Sequence, residues 1–210
     1  MTHVILVRHG QTLLNRQPSF RGRTAIPLDE KGLQQAEATG RRIAATWPVQ
    51  AVYSSPLRRA LQTAEAIARP LELEAQPYTG LNDMDFGEWQ ALPVQEVQAR
   101  WPAELQEWIA RPQQLVIPGG ETLAACRERV MTALGEIMAR HLEEWIVVVG
   151  HNVTNRLILL AALGLGNERF WRLGQSTCAI NLLRFDGKEF YLDVLNDTCH
   201  LGGKGLKVKS

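Results

Sequence analysis

The run Trp145-Ile146-Val147-Val148-Val149 is the most apolar stretch of the chain, and it stops at Gly150-His151-Asn152. Five residues are too few for a helix. β-Branched side chains dominate the run, and no polar residue alternates with them, so it reads as a central strand covered on both faces. Such a strand needs helices above and below it. That arrangement implies parallel neighbours joined by helical crossovers.

The rest of the chain supplies the neighbours. Val4 to Val7 is a second short β-branched run and reads as a buried strand. A loop with Pro18, Gly22 and Pro27 follows, from Gly10 to about Leu28. Asp29 is placed as the N-cap of a helix over Lys31 to Thr46, whose inner face is Leu33, Ala36, Gly40, Ile43 and Ala44. Ala51 to Ser54 reads as a strand. Ser55-Pro56 then opens a helix with Leu57, Ala60, Leu61, Ala64 and Ile67 on one face. A third strand is expected over Leu71 to Ala75. Between Leu81 and Pro118 the chain turns rich in Trp, Pro and Gln, with short helical pieces such as Val94 to Trp101, and reads as an irregular cap. Gly119-Gly120 opens a long helix with Leu123, Cys126, Val130, Leu134, Ile137, Met138 and His141 inward. A further helix runs from about Val153 to Leu163. Ala179 to Phe185 and Phe190 to Leu195, around Asp186-Gly187, read as a hairpin. The expected fold is a three-layer α/β/α arrangement with a mostly parallel sheet and a small helical cap. One domain spans residues 1–203, with cap elements at about 11–28 and 81–118. A basic tail over 204–210, carrying Lys204, Lys207 and Lys209, is expected to be flexible.

Composition narrows the function classes. The net charge is +1, so no strong field favours nucleic acid or an anionic membrane. Cys126, Cys178 and Cys199 form no C-x-x-C pair, and their odd number argues for a reducing compartment. Met1-Thr2-His3 leads straight into a strand without a signal-peptide pattern, and no apolar run approaches the ~20 residues of a membrane span. A cytoplasmic location is expected.

Three strand ends carry the chemistry. The first strand closes on Arg8-His9-Gly10, the second leads through Ser54-Ser55-Pro56 to Arg58 and Arg59, and the central one closes on Gly150-His151-Asn152. Ligands of parallel α/β sheets bind outside the carboxyl ends of the strands, where helix N-termini also attract anions. Arginine offers a planar fork for phosphate. One histidine after a strand is most often a turn residue. Two histidines and several arginines delivered to one sheet edge describe a phosphate pocket with an imidazole inside it.

These residues resemble the histidine phosphatase superfamily, also called the phosphoglycerate-mutase-like family. Val7-Arg8-His9-Gly10-Gln11-Thr12 with Asn15 carries the resemblance first. Pro27-Leu28-Asp29-Glu30-Lys31-Gly32, Ser54-Ser55-Pro56-Leu57-Arg58-Arg59-Ala60 with Thr63, Leu81 to Trp89, Pro118-Gly119-Gly120-Glu121-Thr122 and Val149-Gly150-His151 continue it in order. It covers nearly the whole chain. The resemblance implies that His9 becomes phosphohistidine, that Arg8, Arg59 and His151 hold the phosphoryl oxygens, and that Asn15 adds a hydrogen bond. Arg58 is then a surface charge or a peripheral contact. Arg21, Gly22 and Asn152, the last through its backbone N–H, complete the expected substrate contacts. The chemistry needs no metal and no cofactor. Arginine neighbours are expected to keep His9 unprotonated.

The leaving oxygen needs a proton. The family usually supplies it from a Glu that precedes Gly-x-Trp. Here Gly87-Glu88-Trp89 sets the register and puts Asp83 at that position, one methylene shorter; Asp85 and Glu88 are rivals. The resemblance favours hydrolysis over mutase chemistry, because only 68 residues (151 minus 83) separate Asp83 from His151 and the mutases' added segment is missing. The expected enzyme is a histidine acid-type phosphomonoesterase acting on a small phosphorylated metabolite. A cofactor-dependent phosphoglycerate mutase and a non-catalytic phosphate-binding module are the alternatives. The pattern is similar to α-ribazole phosphatases and to metal-independent phosphoserine phosphatases. Leu195-Asn196-Asp197-Thr198-Cys199-His200-Leu201-Gly202 looks like the tail of the latter, whereas Phe86 stands where that branch can have a polar residue. Trp89, Trp101 and Trp108, with Phe20 and Phe86, either pack the cap or receive a ring-bearing leaving group. Cys199 with His200 would suit a metal, but no further ligands cluster there. The final strand could pair between subunits as a homodimer.

Overall fold

The computed structural model describes residues 1–16 and 18–202, with the backbone alone at residues 15 and 16. The lysines of the expected tail lie outside the described residues. Among the described residues six strands form one sheet: β1 (Thr2–Arg8), β2 (Val49–Ser54), β3 (Ala75–Pro77), β4 (Trp145–Gly150), β5 (Ile180–Phe185) and β6 (Phe190–Asp197), in the spatial order β3-β2-β4-β1-β5-β6. β4 sits inside the sheet, parallel to β1 and β2, and β3 continues the parallel half. β5 and β6 add an antiparallel hairpin at the other side, so the sheet is mixed and mostly parallel.

The two-faced burial of β4 has its expected cause. Ile146 and Val148 pack with Val4 and Leu6 of β1 in one apolar cluster, while Val147 and Val149 pack with Ile5 and Val7 in another. α1 (Glu30–Thr46) and α2 (Arg58–Ala68) cover the second face through Ile43, Ala60, Ala64 and Ile67. α5 (Leu123–Met138) and α6 (Asn152–Ala162) cover the first through residues such as Val130, Leu134, Leu157 and Ile158. Each fully buried Val, Ile or Leu of these layers stabilises the fold by about 1.5–3 kcal/mol. The cap holds α3 (Val94–Arg100) and α4 (Pro102–Ala110). Its two segments are joined by backbone: Phe20 N–H donates to Leu92, and Ala91 N–H to Phe20.

Four local expectations are corrected. Leu33 is exposed, and the inner face of α1 is Gly32, Ala36, Thr39, Gly40 and Ile43. The helix is rotated because a Cβ at residue 32 would lie 2.0 Å from the Gln11 carbonyl, so only a glycine can face that loop. The third strand starts at Ala75, not Leu71, because Arg69–Leu71 forms a 3-10 turn and Glu72 turns left-handed at φ 59°. The long helix begins at Leu123, with the Thr122 hydroxyl accepting from the Ala125 N–H, rather than at Gly119-Gly120. His141 lies beyond the end of that helix, its ring held between Glu144 and Tyr53 at 2.7 and 2.9 Å. Among the described residues no helix is long and apolar enough to cross a membrane.

Candidate active site

Parallel register brings the three strand ends level. Arg8 pairs with Gly150, and Ser54 with Val149. His9 N–H donates to Gly150 and Ser55 N–H to Val149, so the turns that leave β1 and β2 are hydrogen-bonded to the end of β4. His9 is thereby fixed beside His151, with ring centroids 5.2 Å apart. The turn after His9 also presses on α1. A Cβ at Gly10 would lie 2.6 Å from the Gly32 carbonyl oxygen.

His9 is almost fully buried, and its Nδ1 lies 2.7 Å from the Gly10 carbonyl oxygen. A carbonyl only accepts, so Nδ1 carries the ring hydrogen and Nε2 the lone pair. Burial, followed by the cations of Arg59 and Arg8, holds His9 well below the ordinary histidine range. The sequence argument named the arginines; burial is the larger cause. His151 is held down by burial, then by Arg59 and His9. Among the described residues neither of its buried ring nitrogens has a hydrogen-bond partner. Its backbone N–H donates to the Thr154 hydroxyl at the first turn of α6.

The arginines are pinned by carbonyls. Arg59 is fully buried and donates to Thr24 at 2.9 Å, to Gly22 at 2.6 Å and to Asp83 Oδ2 at 3.0 Å. Gly22 meets it in a left-handed turn at φ 48°, a conformation open to glycine, where a Cβ would also lie 2.6 Å from Gln90 Oε1. Arg8 donates to the Gln175 carbonyl at 2.5 Å. Burial, with Arg21 adding to it, pushes Arg8 down to about 10. The Nε atoms of Arg8 and Arg59 are buried without a partner among the described residues. Arg58 is exposed, as expected of a surface charge. The side chain of Asn15 lies outside the described residues.

The structure separates the three acids. Asp83 is buried against Arg59, with Oδ2 3.7 Å from His151 Nδ1. Burial raises its carboxyl above the usual range, against the opposing pull of Arg59. Asp85 instead pairs with Arg23 at 3.2 Å and accepts from Gly87 N–H, and Glu88 is exposed. Neither has a contact with His9 or His151 among the described residues.

A cavity of about 320 Å³ opens beside Asp83. Arg21, Gly22 and Asn152 line it together with an apolar wall of Phe20, Phe86, Trp108, Val153 and Trp171. Arg21 donates to the Leu14 carbonyl, which holds it at the rim. The rings interlock: Phe20 lies 4.8 Å from Trp89 and Trp108 lies 5.2 Å from Trp171. Trp89 is fully buried in the cap core, whereas Phe20, Phe86 and Trp108 both pack the cap and line the cavity. Trp101 is not among the lining residues; Arg100 stacks on its ring.

Sequence reasoning missed Arg156. Two aromatic faces, Phe170 at 5.1 Å and Trp171 at 5.0 Å, hold this cation, and its Nε and Nη1 have no hydrogen-bond partner. Burial pushes it down to about 10. Its place four residues after Asn152, one turn along the same helix, was the available signal. His200 Nε2 lies 3.0 Å from the Thr39 hydroxyl, and among the described residues no three His, Cys, Asp or Glu side chains gather as metal ligands do.

The chain is similar to known proteins over nearly its whole length. Residues 4–198 match the family described as "Histidine phosphatase superfamily (branch 1)". "Phosphoserine phosphatase 1" of Hydrogenobacter thermophilus is 32% identical over 202 residues, covering 96% of this chain and 95% of that protein. Among solved structures, Bacillus stearothermophilus YhfR superposes with a TM-score of 0.91 at 26% identity, over 96% of this chain and 100% of its own. A phosphoserine phosphatase from Entamoeba histolytica, in complex with 3-phosphoglyceric acid, gives 0.85 at 25% identity, over 96% and 100%.

Proposed function

Because this chain belongs to the histidine phosphatase superfamily, branch 1, we propose that it hydrolyses small phosphomonoesters through a phosphohistidine on His9. The observation that carries this reading is a set of unpaired polar groups next to His9. Among the described residues Arg8 Nε, Arg59 Nε and both His151 nitrogens are buried without hydrogen-bond partners. Buried polar groups left unpaired cost about 1–3 kcal/mol each. Phosphoryl oxygens would accept from the two guanidinium N–H groups and from the one N–H of a neutral His151.

The residues then divide the work. Nε2 of His9 attacks phosphorus, and the bond from phosphorus to the alcohol oxygen breaks. Asp83 gives its proton to that oxygen. Water then attacks the phosphohistidine, the P–N bond breaks, and the Asp83 carboxylate takes the water's proton. Orthophosphate and the alcohol leave, and both side chains are restored. Arg8, Arg59 and His151 hold the charge on the equatorial oxygens, and preorganised charge of this kind is the main demand of phosphoryl transfer. An arriving phosphate dianion draws on Arg59 and repels a negative Asp83, which favours the protonated acid.

The pH dependence follows from these shifts. His9 must be neutral, so activity rises with pH through its lowered pKa, and the acid limb should lie well below an ordinary histidine's ~6.5. Asp83 must be protonated, so activity falls as pH rises through its raised pKa. We expect a bell with its maximum on the acid side of neutrality. A pH profile of kcat/KM, which reports the free enzyme's groups and is corrected for ionisation of the substrate, checks it, and a flat profile between pH 4 and 8 would remove both assignments.

The apolar wall of the cavity favours an alcohol with a ring or hydrocarbon body as leaving group. In a panel of phosphomonoesters assayed for orthophosphate release with EDTA present, kcat/KM for ring-bearing esters should exceed that for phosphoserine by about tenfold or more. Preferred hydrolysis of phosphoserine would reverse the substrate reading. Phosphoryl transfer between positions of phosphoglycerate, without orthophosphate release, would replace phosphatase by mutase.

A further inference from the structure

We propose that Gln175, Asn181 and Asn196 form an amide bracket that positions the Arg8 guanidinium for the phosphoryl group. This rests on the phosphate-pocket reading above and gives the chain's last strand a part in it. The carbonyl that pins Arg8 belongs to Gln175, in the loop that leads into β5. A loop carbonyl is a soft support unless something fixes it, and a binding group is only as precise as the residues behind it.

Here the support is built from amides. Gln175 and Asn181 bond reciprocally: Gln175 Nε2 donates to Asn181 Oδ1, and Asn181 Nδ2 to Gln175 Oε1, both at 2.9 Å. Asn181 also donates to the Leu6 carbonyl at 3.0 Å and accepts from Asn196 N–H at 2.8 Å. Its two N–H bonds and two acceptor sites are therefore all used. Leu6 stands opposite Asn181 in the β1–β5 ladder and two residues before Arg8 in the same strand, so the bracket is tied to the strand that carries its target.

Asn196 closes the far side. Its backbone is left-handed at φ 54°, where the β5–β6 register shifts between Ile180 and Leu182. From there its Oδ1 accepts the Ser176 N–H at 2.7 Å. The same loop also grips the backbone of Arg8, whose carbonyl accepts from Cys178 N–H at 2.9 Å. Asn181 is fully buried between apolar neighbours Ile180 and Leu182. A polar residue there must be fully paired to be tolerated, and this one is paired to the loop that holds Arg8.

Gln175→Leu tests the bracket cleanly, because the carbonyl that touches Arg8 remains while both links to Asn181 are cut. The readouts are the inhibition constant of orthophosphate, kcat/KM for p-nitrophenyl phosphate, and Tm. We expect the inhibition constant to rise and kcat/KM to fall by about tenfold, with no further effect of the substitution in an Arg8→Ala background. Asn196→Gly, which tolerates φ 54° without strain, should act in the same direction by about threefold, and it decides the matter if Gln175→Leu does not fold. An orthophosphate constant unchanged in both variants would overturn the bracket even if Tm fell. So would an equal loss with and without Arg8. If Arg8→Ala itself leaves orthophosphate inhibition unchanged, the phosphate-pocket reading fails first and the bracket with it.

Discussion

His9→Ala is expected to abolish turnover, lowering kcat by at least about four orders of magnitude while the fold is kept. The argument is geometric. Nδ1 is committed to the Gly10 carbonyl, so the reactive lone pair sits on Nε2, beside His151. His151 has the opposite condition: among the described residues neither of its nitrogens has a hydrogen-bond partner that fixes its tautomer. Rapid quench into alkali after mixing with labelled phosphomonoester should trap a phosphoenzyme that is stable in base and lost in acid. The alanine variant should give none. Full activity of the variant, or a phosphoenzyme formed without His9, would transfer the nucleophile's role elsewhere.

Asp83→Asn should cost about 10²–10⁴ in kcat for alkyl phosphates. For p-nitrophenyl phosphate, whose phenolate departs without needing a proton, the loss should be much smaller. Asparagine can still accept from Arg59, so the 3.0 Å contact is kept while the transferable proton and the bond from Met84 N–H are lost. The falling alkaline limb of the pH profile should disappear with it. Equal losses for both leaving groups would mean that Asp83 serves only as the counter-ion of Arg59.

Much of this site was legible before any coordinates. Arg8-His9 and Gly150-His151 end strands that announce themselves by short apolar runs rich in β-branched residues, and Arg59 comes shortly after a third short strand, Ala51 to Ser54, and its Ser-Ser-Pro turn. Local periodicity locates strand ends, and parallel pairing places those ends together, so the cluster could be read without distances. The choice between Asp83 and Asp85 could not. The two residues are neighbours in a segment without regular structure, and only the fold turns one toward Arg59 and the other toward Arg23. Leu33 misled for a related reason: helical spacing fits a face rotated by one residue nearly as well, and the close approach of Gln11 to Gly32 selects between them.

The delivery of Arg8, His9, Arg58, Arg59 and His151 to one sheet edge was legible in the sequence, since each lies at or just after the end of a strand whose length and burial are local properties, while the choice of Arg59 over Arg58 came from the family resemblance. The burial that is the larger cause of the depressed proton affinity of His9, the raised proton affinity of Asp83, the place of Arg156 between two aromatic rings and the amide bracket behind Arg8 were decided by tertiary structure alone. Burial and hydrogen bonding depend on partners far away in the chain; Arg8 and the Gln175 carbonyl that pins it are 167 residues apart. No window of sequence contains both members of such a pair, and the free energy of a buried polar group belongs to the pair.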